Sequence, residues 1–250
     1  MHFPRTWIYG GVAAAILIAA YVAIPALFPP KLDLRDRAYP QGFRTLTIQG
    51  DSSSVLDPFM GMQRRPAADQ PKPDTQQICQ ELFRDLHTPA SGRADSPVEI
   101  ATFFDYRCPY CRILSGFLSA MHNDNVRILY KEWPILGQPS VLAARAALAA
   151  DRQGKYLALH ERLMSTRFVL TTSFLETIAS EQGMDPARLR NDMDSEATAI
   201  ALRRTAALAS ALDFVGTPAM VVGRTVVQGE ISRSQLERLI EEEMKPGKTC

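Results

Sequence analysis

The sequence PVEIATFFDYRCPYC, residues 97–111, decides the fold of this chain of 250 residues. Residues 97–104 are rich in branched and aromatic side chains, which predicts a buried β-strand. Cys108 and Cys111 follow directly. Apolar side chains then recur at helical spacing, at Ile113, Leu114, Phe117, Leu118 and Met121. The stretch therefore predicts a Cys-x-x-Cys pair on the first turn of a helix that leaves a buried strand.

The predicted position of the two cysteines suits thiol chemistry. The N-terminus of a helix exposes unpaired N–H groups and the positive end of the helix dipole, and both favour a thiolate over a thiol. Pro109 costs no helical hydrogen bond in the first turn. We expect Cys108 to be the exposed thiol that forms a mixed disulfide with a substrate. Cys111, one turn further in, is expected to be the buried thiol that resolves it.

The cysteine pair has two other possible explanations. A Cys-x-x-Cys is often half of a zinc site, which needs two more ligands. Cys79 and Cys250 are isolated in the sequence, and the histidines at 87, 122 and 160 show no matching spacing, so we predict no metal and no other cofactor. A purely structural disulfide is the second alternative, but a strand-to-helix junction favours the redox motif.

The remainder of the chain predicts a mixed fold. Residues 126–133 resemble a second strand, and residues 139–212 are mainly helical. Residues 219–227 predict a hairpin that turns at Gly223, and Ser232 caps a last helix. The order is strand, helix, strand, then a helical block, then strand, strand, helix. This order places the chain in the α/β class.

The N-terminal segment differs from the rest. Residues 7–28 contain no charged side chain, and a helix of that length spans about 33 Å, enough for the core of a bilayer. We predict that residues 1–30 are an uncleaved signal anchor, with a cleaved signal peptide as the alternative. Residues 31–74 are rich in proline and predict a linker, and residues 75–250 form the predicted domain. By the positive-inside rule, the basic residues after the apolar run favour a cytoplasmic location of the domain. The type of domain favours the extracytoplasmic side, and this is the orientation that we expect.

Charge and cysteine usage limit the choice of function. The net charge of +1, from 28 basic and 27 acidic residues, gives no support for a nucleic-acid partner. A domain of this size needs no disulfide to fold, so the four cysteines reflect chemistry or compartment. An oxidising compartment tends to pair leftover cysteines, and a Cys79–Cys250 bond would join both ends of the domain. Two unpaired cysteines and an intermolecular bond are the alternatives.

Four motifs resemble one protein family. The motifs are FFDYRCPYC (103–111), YKEWPILG (130–137), AARAALAADRQGKY (143–156) and GTPAMVVG (216–223). In this order they resemble the DsbA-like thiol–disulfide oxidoreductases, and within them the branch of the BdbD and ScsC proteins. The resemblance covers about residues 76–244. It implies a thioredoxin fold with a helical insertion, with Cys108 as nucleophile and Cys111 as resolving thiol. It also implies that Thr217–Pro218 is a cis-proline loop that faces the cysteines and pairs with an extended substrate segment.

The resemblance also implies a function. We expect an oxidase in the inner (cytoplasmic) membrane, with its domain in the periplasm or extracytoplasmic space. It would donate its disulfide to exported proteins and be reoxidised by a quinone-linked DsbB-like partner. The first alternative is a reductase or isomerase that a DsbD-like membrane carrier keeps reduced, and the second is a redox-silent peptide-binding or assembly module. Thr102 stands where related proteins often have a buried acid. The dipeptide Pro109–Tyr110 lacks the histidine of the strongest oxidants, which predicts a less acidic Cys108.

Overall fold

The computed structural model describes residues 31–47, 51, 53–54, 72–121, 123–167, 170–245 and 250. The predicted signal anchor lies outside these residues. Within them, none of the helices combines the length and the apolar character needed to cross a membrane. The chain divides into two compact units, Met1–Asp33 and Leu34–Cys250, and the second contains every element described below.

The second unit alternates strands and helices around one main sheet. The strands are β1 (Leu34–Asp36), β2 (Arg44–Leu46), β3 (Ser53–Ser54), β4 (Ala90–Ser91), β5 (Val98–Phe104), β6 (Val126–Glu132), β7 (Gly216–Thr217), β8 (Ala219–Val222) and β9 (Thr225–Gln228). The helices are α1 (Thr75–Phe83), α2 (Pro109–Ser119), α3 (Gln138–Asp151), α4 (Tyr156–Ser165), α5 (Thr172–Glu181), α6 (Pro186–Met193), α7 (Glu196–Ala211) and α8 (Arg233–Glu243). Among the described residues, seven strands form the main sheet in the order β1-β2-β9-β8-β5-β6-β4, and β3 and β7 form a separate pair.

Strand β5 lies inside the sheet and carries the cysteine motif at its end. It pairs in parallel with β6 through the crossover helix α2, and antiparallel with β8. Every residue of β5 except Glu99 is buried, which explains why its sequence is a continuous apolar run rather than an alternating one. The predicted order of elements is confirmed, including the β8–β9 hairpin and the C-terminal helix α8.

Helices α3 to α7 form the insertion between β6 and β7. Alanines line the buried face of α3, and their small side chains allow close approach of neighbouring helices; they are Ala143, Ala146, Ala147 and Ala150. Asp185 caps α6 by accepting hydrogen bonds from the backbone N–H groups of Ala187 and Arg188. The insertion therefore adds its own packed layer and leaves the sheet order intact.

The predicted linker contains strands, which corrects the expectation for its first part. Strand β2 pairs in parallel with β9, and β1 pairs antiparallel with β2. Phe43 joins the hydrophobic core, and the Arg44 guanidinium lies 2.5 Å from the Glu243 carboxylate of α8. Strands of two or three residues are too short to produce an alternating pattern, so the sequence predicted only a linker in this region.

Cys79 and Cys250 form a disulfide in this structure. Their Cα atoms are 5.6 Å apart, and 171 positions separate them in the sequence. Both residues pack against the hydrophobic core. Of the three possibilities left open by the sequence, the structure contains the intramolecular bond.

Candidate active site

Cys108 is the N-cap residue of α2, at the end of the loop that leaves β5. Its sulfur accepts a hydrogen bond from the backbone N–H of Cys111 at 3.3 Å, and its thiol donates to the carbonyl oxygen of Thr217, also at 3.3 Å. Cys108 and Cys111 are both free thiols. Cys108 has an exposed fraction of 0%, so the expectation of an exposed nucleophile was wrong. It is covered because a loop distant in the sequence folds onto it.

The two thiols have opposite electrostatic environments. Hydrogen bonding from the Cys111 side chain is the main cause that lowers the pKa of Cys108 to about 6; burial opposes it, and the side chains of Thr217 and Ser53 assist it. Burial raises the pKa of Cys111 well above its usual value. A single negative charge therefore resides on Cys108. The sequence predicted a Cys108 less acidic than that of the strongest oxidants, and it gave no sign of the contributions of Thr217 and Ser53.

The Thr217–Pro218 loop lies directly against the cysteines. The peptide bond between the two residues is cis. Thr217 is completely buried, and its hydroxyl oxygen has no hydrogen-bond partner among the described residues. The Thr217 side chain lowers the pKa of both thiols. Thr217 therefore offers a polar side chain to whichever sulfur carries the charge.

Asp105 fixes the loop between β5 and α2. One carboxylate oxygen accepts the backbone N–H of Arg107 and the hydroxyl of Ser140, both at 2.7 Å. The other accepts the backbone N–H groups of Ile135 and Leu136, at 2.7 and 2.9 Å. Asp105 is almost fully buried, and these four bonds satisfy its carboxylate. The residue ties the cysteine loop to the segment that begins the helical insertion.

A chain of buried polar side chains begins one helical turn below Cys111. The Ser115 hydroxyl lies 3.1 Å from Nε2 of His160, and Nδ1 of His160 lies 3.0 Å from the Tyr106 hydroxyl. Tyr106 and Tyr156 both donate to one carboxylate oxygen of Glu132, at 2.8 and 2.7 Å. Because the Tyr106 hydroxyl donates its proton to Glu132, it can only accept a hydrogen bond from His160. The ring proton of neutral His160 therefore lies on Nδ1, and Nε2 accepts a hydrogen bond from the Ser115 hydroxyl.

Burial sets the protonation states in this chain. It raises the pKa of Glu132 to about 8 and lowers the pKa of His160 to about 3, so both groups are mainly uncharged near neutral pH. A cavity of about 10 Å³ lies between this chain and Cys111, and Thr102, Ser115 and His160 are among its lining residues. That volume is about the minimum for one water molecule. The polar chain that ends at Glu132 therefore begins at the same small cavity that Cys111 lines.

The sequence reasoning missed most of these supporting residues. Glu132, Tyr106 and His160 meet although 26 to 54 positions separate them, and no local pattern marks such an encounter. Glu99, the acid on β5, forms ion pairs with Arg84 and Arg127 and takes no part in the site. Within the described residues, no three histidine, cysteine or acidic side chains are placed to hold a metal ion.

The fold and the site together define a class of protein. A Cys-x-x-Cys pair at the start of a helix, next to a central strand and facing a cis-proline loop, is the arrangement of thioredoxin-fold thiol–disulfide oxidoreductases. The sequence family described as the DsbA-like thioredoxin domain matches residues 99–241, more than half of the chain. The chain belongs to this family.

Known proteins support the assignment. Over 171 residues the chain is 24% identical to disulfide bond formation protein D of Bacillus subtilis (strain 168), which covers 63% of this chain and 77% of that protein. A thioredoxin-like oxidoreductase from Silicibacter pomeroyi DSS-3 superimposes with a TM-score of 0.61 and 40% identity, over 65% of this chain and 95% of the other. A periplasmic thioredoxin-like protein from Salmonella enterica serovar Typhimurium superimposes with a TM-score of 0.63 and 30% identity, over 69% of this chain and 99% of the other.

A further set of relatives is much longer than the part that matches. The chain spans 25% of the length of the Na(+)/H(+) antiporter NhaA 1 from Mycolicibacterium vanbaalenii, with 27% identity over 157 residues. Ion transport by that protein is therefore no guide to the activity of this chain.

Proposed function

We propose that this oxidoreductase works as an oxidase, which donates the Cys108–Cys111 disulfide to thiols of exported proteins. The observation that carries the proposal is the unequal stabilisation of the two sulfurs. The lowered pKa of Cys108 means that the reduced pair holds a stabilised thiolate. A stabilised reduced form makes the disulfide a stronger oxidant, since the free energy gained on reduction sets the potential.

The exchange proceeds in two balanced steps. A substrate thiolate attacks the sulfur of Cys108, the Cys108–Cys111 bond breaks, and Cys111 leaves as a thiolate that takes up a proton. A second substrate thiolate then attacks the substrate sulfur of the mixed disulfide and releases Cys108 as a thiolate. Two electrons pass from the substrate to the pair. Cys108 is the better leaving group of the two, because its thiolate is the more stable.

Two supporting roles follow from the geometry. The Thr217–Pro218 loop contacts the Cys108 sulfur and is placed to align an extended substrate segment beside it. The polar chain from Ser115 to Glu132 borders the cavity that Cys111 lines, and we assign it the proton that Cys111 gains or loses. We assign Cys108 and Cys111 as catalytic residues and Thr217, Pro218 and Asp105 as positioning residues.

We also propose an extracytoplasmic location with a membrane anchor in residues 7–28. The Cys79–Cys250 disulfide supports an oxidising compartment, because such bonds persist mainly outside the cytoplasm. The names of two relatives, a disulfide bond formation protein and a periplasmic protein, agree with this location. A quinone-linked membrane protein would reoxidise the pair, and exported proteins with reduced cysteines would be its substrates.

The reduction potential of the Cys108–Cys111 pair tests the direction of electron flow. The full chain is equilibrated in glutathione buffers, with a Cys79→Ala/Cys250→Ala variant in parallel so that only one pair titrates. A potential at or above about −180 mV supports the oxidase, and a potential near −270 mV identifies a reductase instead. Absence of any exchange with glutathione, matched by a Cys108→Ser variant with unchanged cellular function, favours the redox-silent peptide-binding module.

A further inference from the structure

Part of the segment before the domain lies on the cis-proline loop. Strand β3 pairs antiparallel with β7, with Ser53 opposite Thr217 and Ser54 opposite Gly216. Within the described part of the chain, β3 is the sole strand that pairs with β7. We call Asp51, Ser53 and Ser54 the strap. The strap therefore makes backbone contact with the residue that precedes Pro218.

Three further contacts hold the strap at the active site. The carbonyl oxygen of Asp51 accepts the backbone N–H of Glu230 at 2.8 Å. The hydroxyl of Tyr110, in the dipeptide between the two cysteines, donates to the Asp51 carboxylate at 3.5 Å. The Ser53 side chain helps to lower the pKa of Cys108. The strap thus contacts the loop, the dipeptide and the nucleophile at once.

These contacts are those that an extended substrate would need. A peptide that adds as a strand gains main-chain hydrogen bonds to an open edge, and its side chains then reach the adjacent pockets. Here the edge of β7 is already paired, and Cys108 has no exposed surface. We propose that the strap is an intramolecular occupant of the peptide site, which an extended cysteine-containing chain must displace to reach Cys108. The proposal rests on the thiol–disulfide exchange described above.

A tethered occupant makes the site selective. A segment of the same chain acts at an effective concentration on the order of millimolar, so weak or short ligands compete poorly with it. A long unfolded chain offers a continuous extended backbone and replaces the lost β3–β7 hydrogen bonds. A folded protein with an exposed thiol offers no such backbone. The strap therefore favours unfolded substrates over small thiols and folded proteins.

A double proline variant, Ser53→Pro/Ser54→Pro, tests the pairing. Successive residues of an antiparallel strand alternate in facing the partner, so one of the two N–H groups points at β7, and proline removes both. The matched control is Ser53→Ala, which removes the hydroxyl and keeps both N–H groups. Hydrogen exchange of the Glu230 amide reports whether the strap is in place, because that amide donates to Asp51.

The expected result has two parts, measured on the full chain. The double proline variant should exchange the Glu230 amide about tenfold faster than wild type, and Ser53→Ala should keep its protection. The variant should also react about tenfold faster with a cysteine peptide of about ten residues, relative to its rate with glutathione. In the wild type, the same peptide with serine in place of cysteine should speed up hydrogen exchange of the Glu230 amide. This measurement does not depend on the folding of any variant.

Other outcomes separate the two proposals. Unchanged protection of Glu230 under saturating peptide, or a slower reaction of the peptide with the proline variant, overturns the strap as an occupant. If the double proline substitution accelerates the reactions with the peptide and with glutathione equally, the proposal is also overturned. The strap would then only cover Cys108 and would not occupy the peptide site by backbone pairing. If no variant exchanges with glutathione while the Glu230 amide responds as expected, the oxidase proposal fails and the strap proposal stands.

Discussion

The lowered pKa of Cys108 predicts a pH profile that separates the contributions of its neighbours. With a pKa of about 6, roughly 90% of Cys108 is a thiolate at pH 7, against about 1% for an ordinary thiol of pKa 9.0. A change of three pKa units corresponds to about 4 kcal/mol of preference for the thiolate. This preference comes mainly from the Cys111 side chain, with smaller contributions from Thr217 and Ser53, and it persists although burial acts against it.

The variants should shift the profile in a fixed order. Hydrogen bonding from the Cys111 side chain is the largest cause, so Cys111→Ala should raise the pKa of Cys108 the most. Thr217→Val and Ser53→Ala each remove one smaller contribution and should raise it less. The measurement is the rate of alkylation by iodoacetamide against pH, with thiolate absorbance as a second readout. A wild-type midpoint near 8.5, or a Cys111→Ala profile that coincides with wild type, would refute the reasoning.

The same shift has a consequence for stability, with a definite sign. Because the folded pKa lies below the unfolded one, the thiolate stabilises the reduced protein at high pH, and this stabilisation is lost as pH falls from about 9 to about 6. At pH 7, only about 1.4 kcal/mol of the full stabilisation of about 4 kcal/mol remains. Urea unfolding of the reduced protein across this range, with Cys108→Ala as the control without a thiolate, measures the effect.

Three further predictions concern the residues around the pair. Asp105→Asn turns one acceptor into a donor and loses two of its four bonds, so unfolding in urea should show a loss of about 2–4 kcal/mol, against about 1 kcal/mol for Ser140→Ala; equal losses would contradict this role. Cys79→Ala/Cys250→Ala should lower the free energy of unfolding by at most about 5 kcal/mol, which is the entropy of closing a loop with a sequence separation of 171. The double variant should leave the pH profile of Cys108 alkylation unchanged. The raised pKa of Glu132 favours the uncharged form in the fold, so stability should fall as pH rises from about 4.5 to about 8, and Glu132→Gln should flatten this slope in thermal melts.

The sequence was sufficient for the parts of the fold that local patterns encode. Strand β5 and helix α2 follow from an apolar run and a helical spacing on either side of Cys108. The hairpin β8–β9 follows from its turn at Gly223, where φ is +55°. The motif order through residues 216–223 predicted the fold family, which the match over residues 99–241 confirms.

The rest depended on contacts between distant parts of the chain. Ser53 and Thr217 both reach Cys108, from 55 positions before it and 109 positions after it. Nothing in two consecutive serines predicts a strand, since β-propensity is low there and the pairing alone creates it. The burial of Cys108 and part of its acidity come from these distant contacts, whereas Cys111, three residues away, makes the largest contribution to the acidity. The sequence therefore identified the reacting atoms and missed the groups that tune them.

The two ends of the main sheet limit where foreign chains bind. Strand β4 has two residues and stops at Gly92, where φ is +87° and an added Cβ would lie 2.4 Å from the carbonyl oxygen of Val126. Strand β1, at the opposite end, has three residues, and two of them are the exposed charges Arg35 and Asp36. Short, charged strand edges are poor templates for aggregation. The two outer strands therefore offer little backbone to an added strand, which agrees with our proposal that extended chains add at β7.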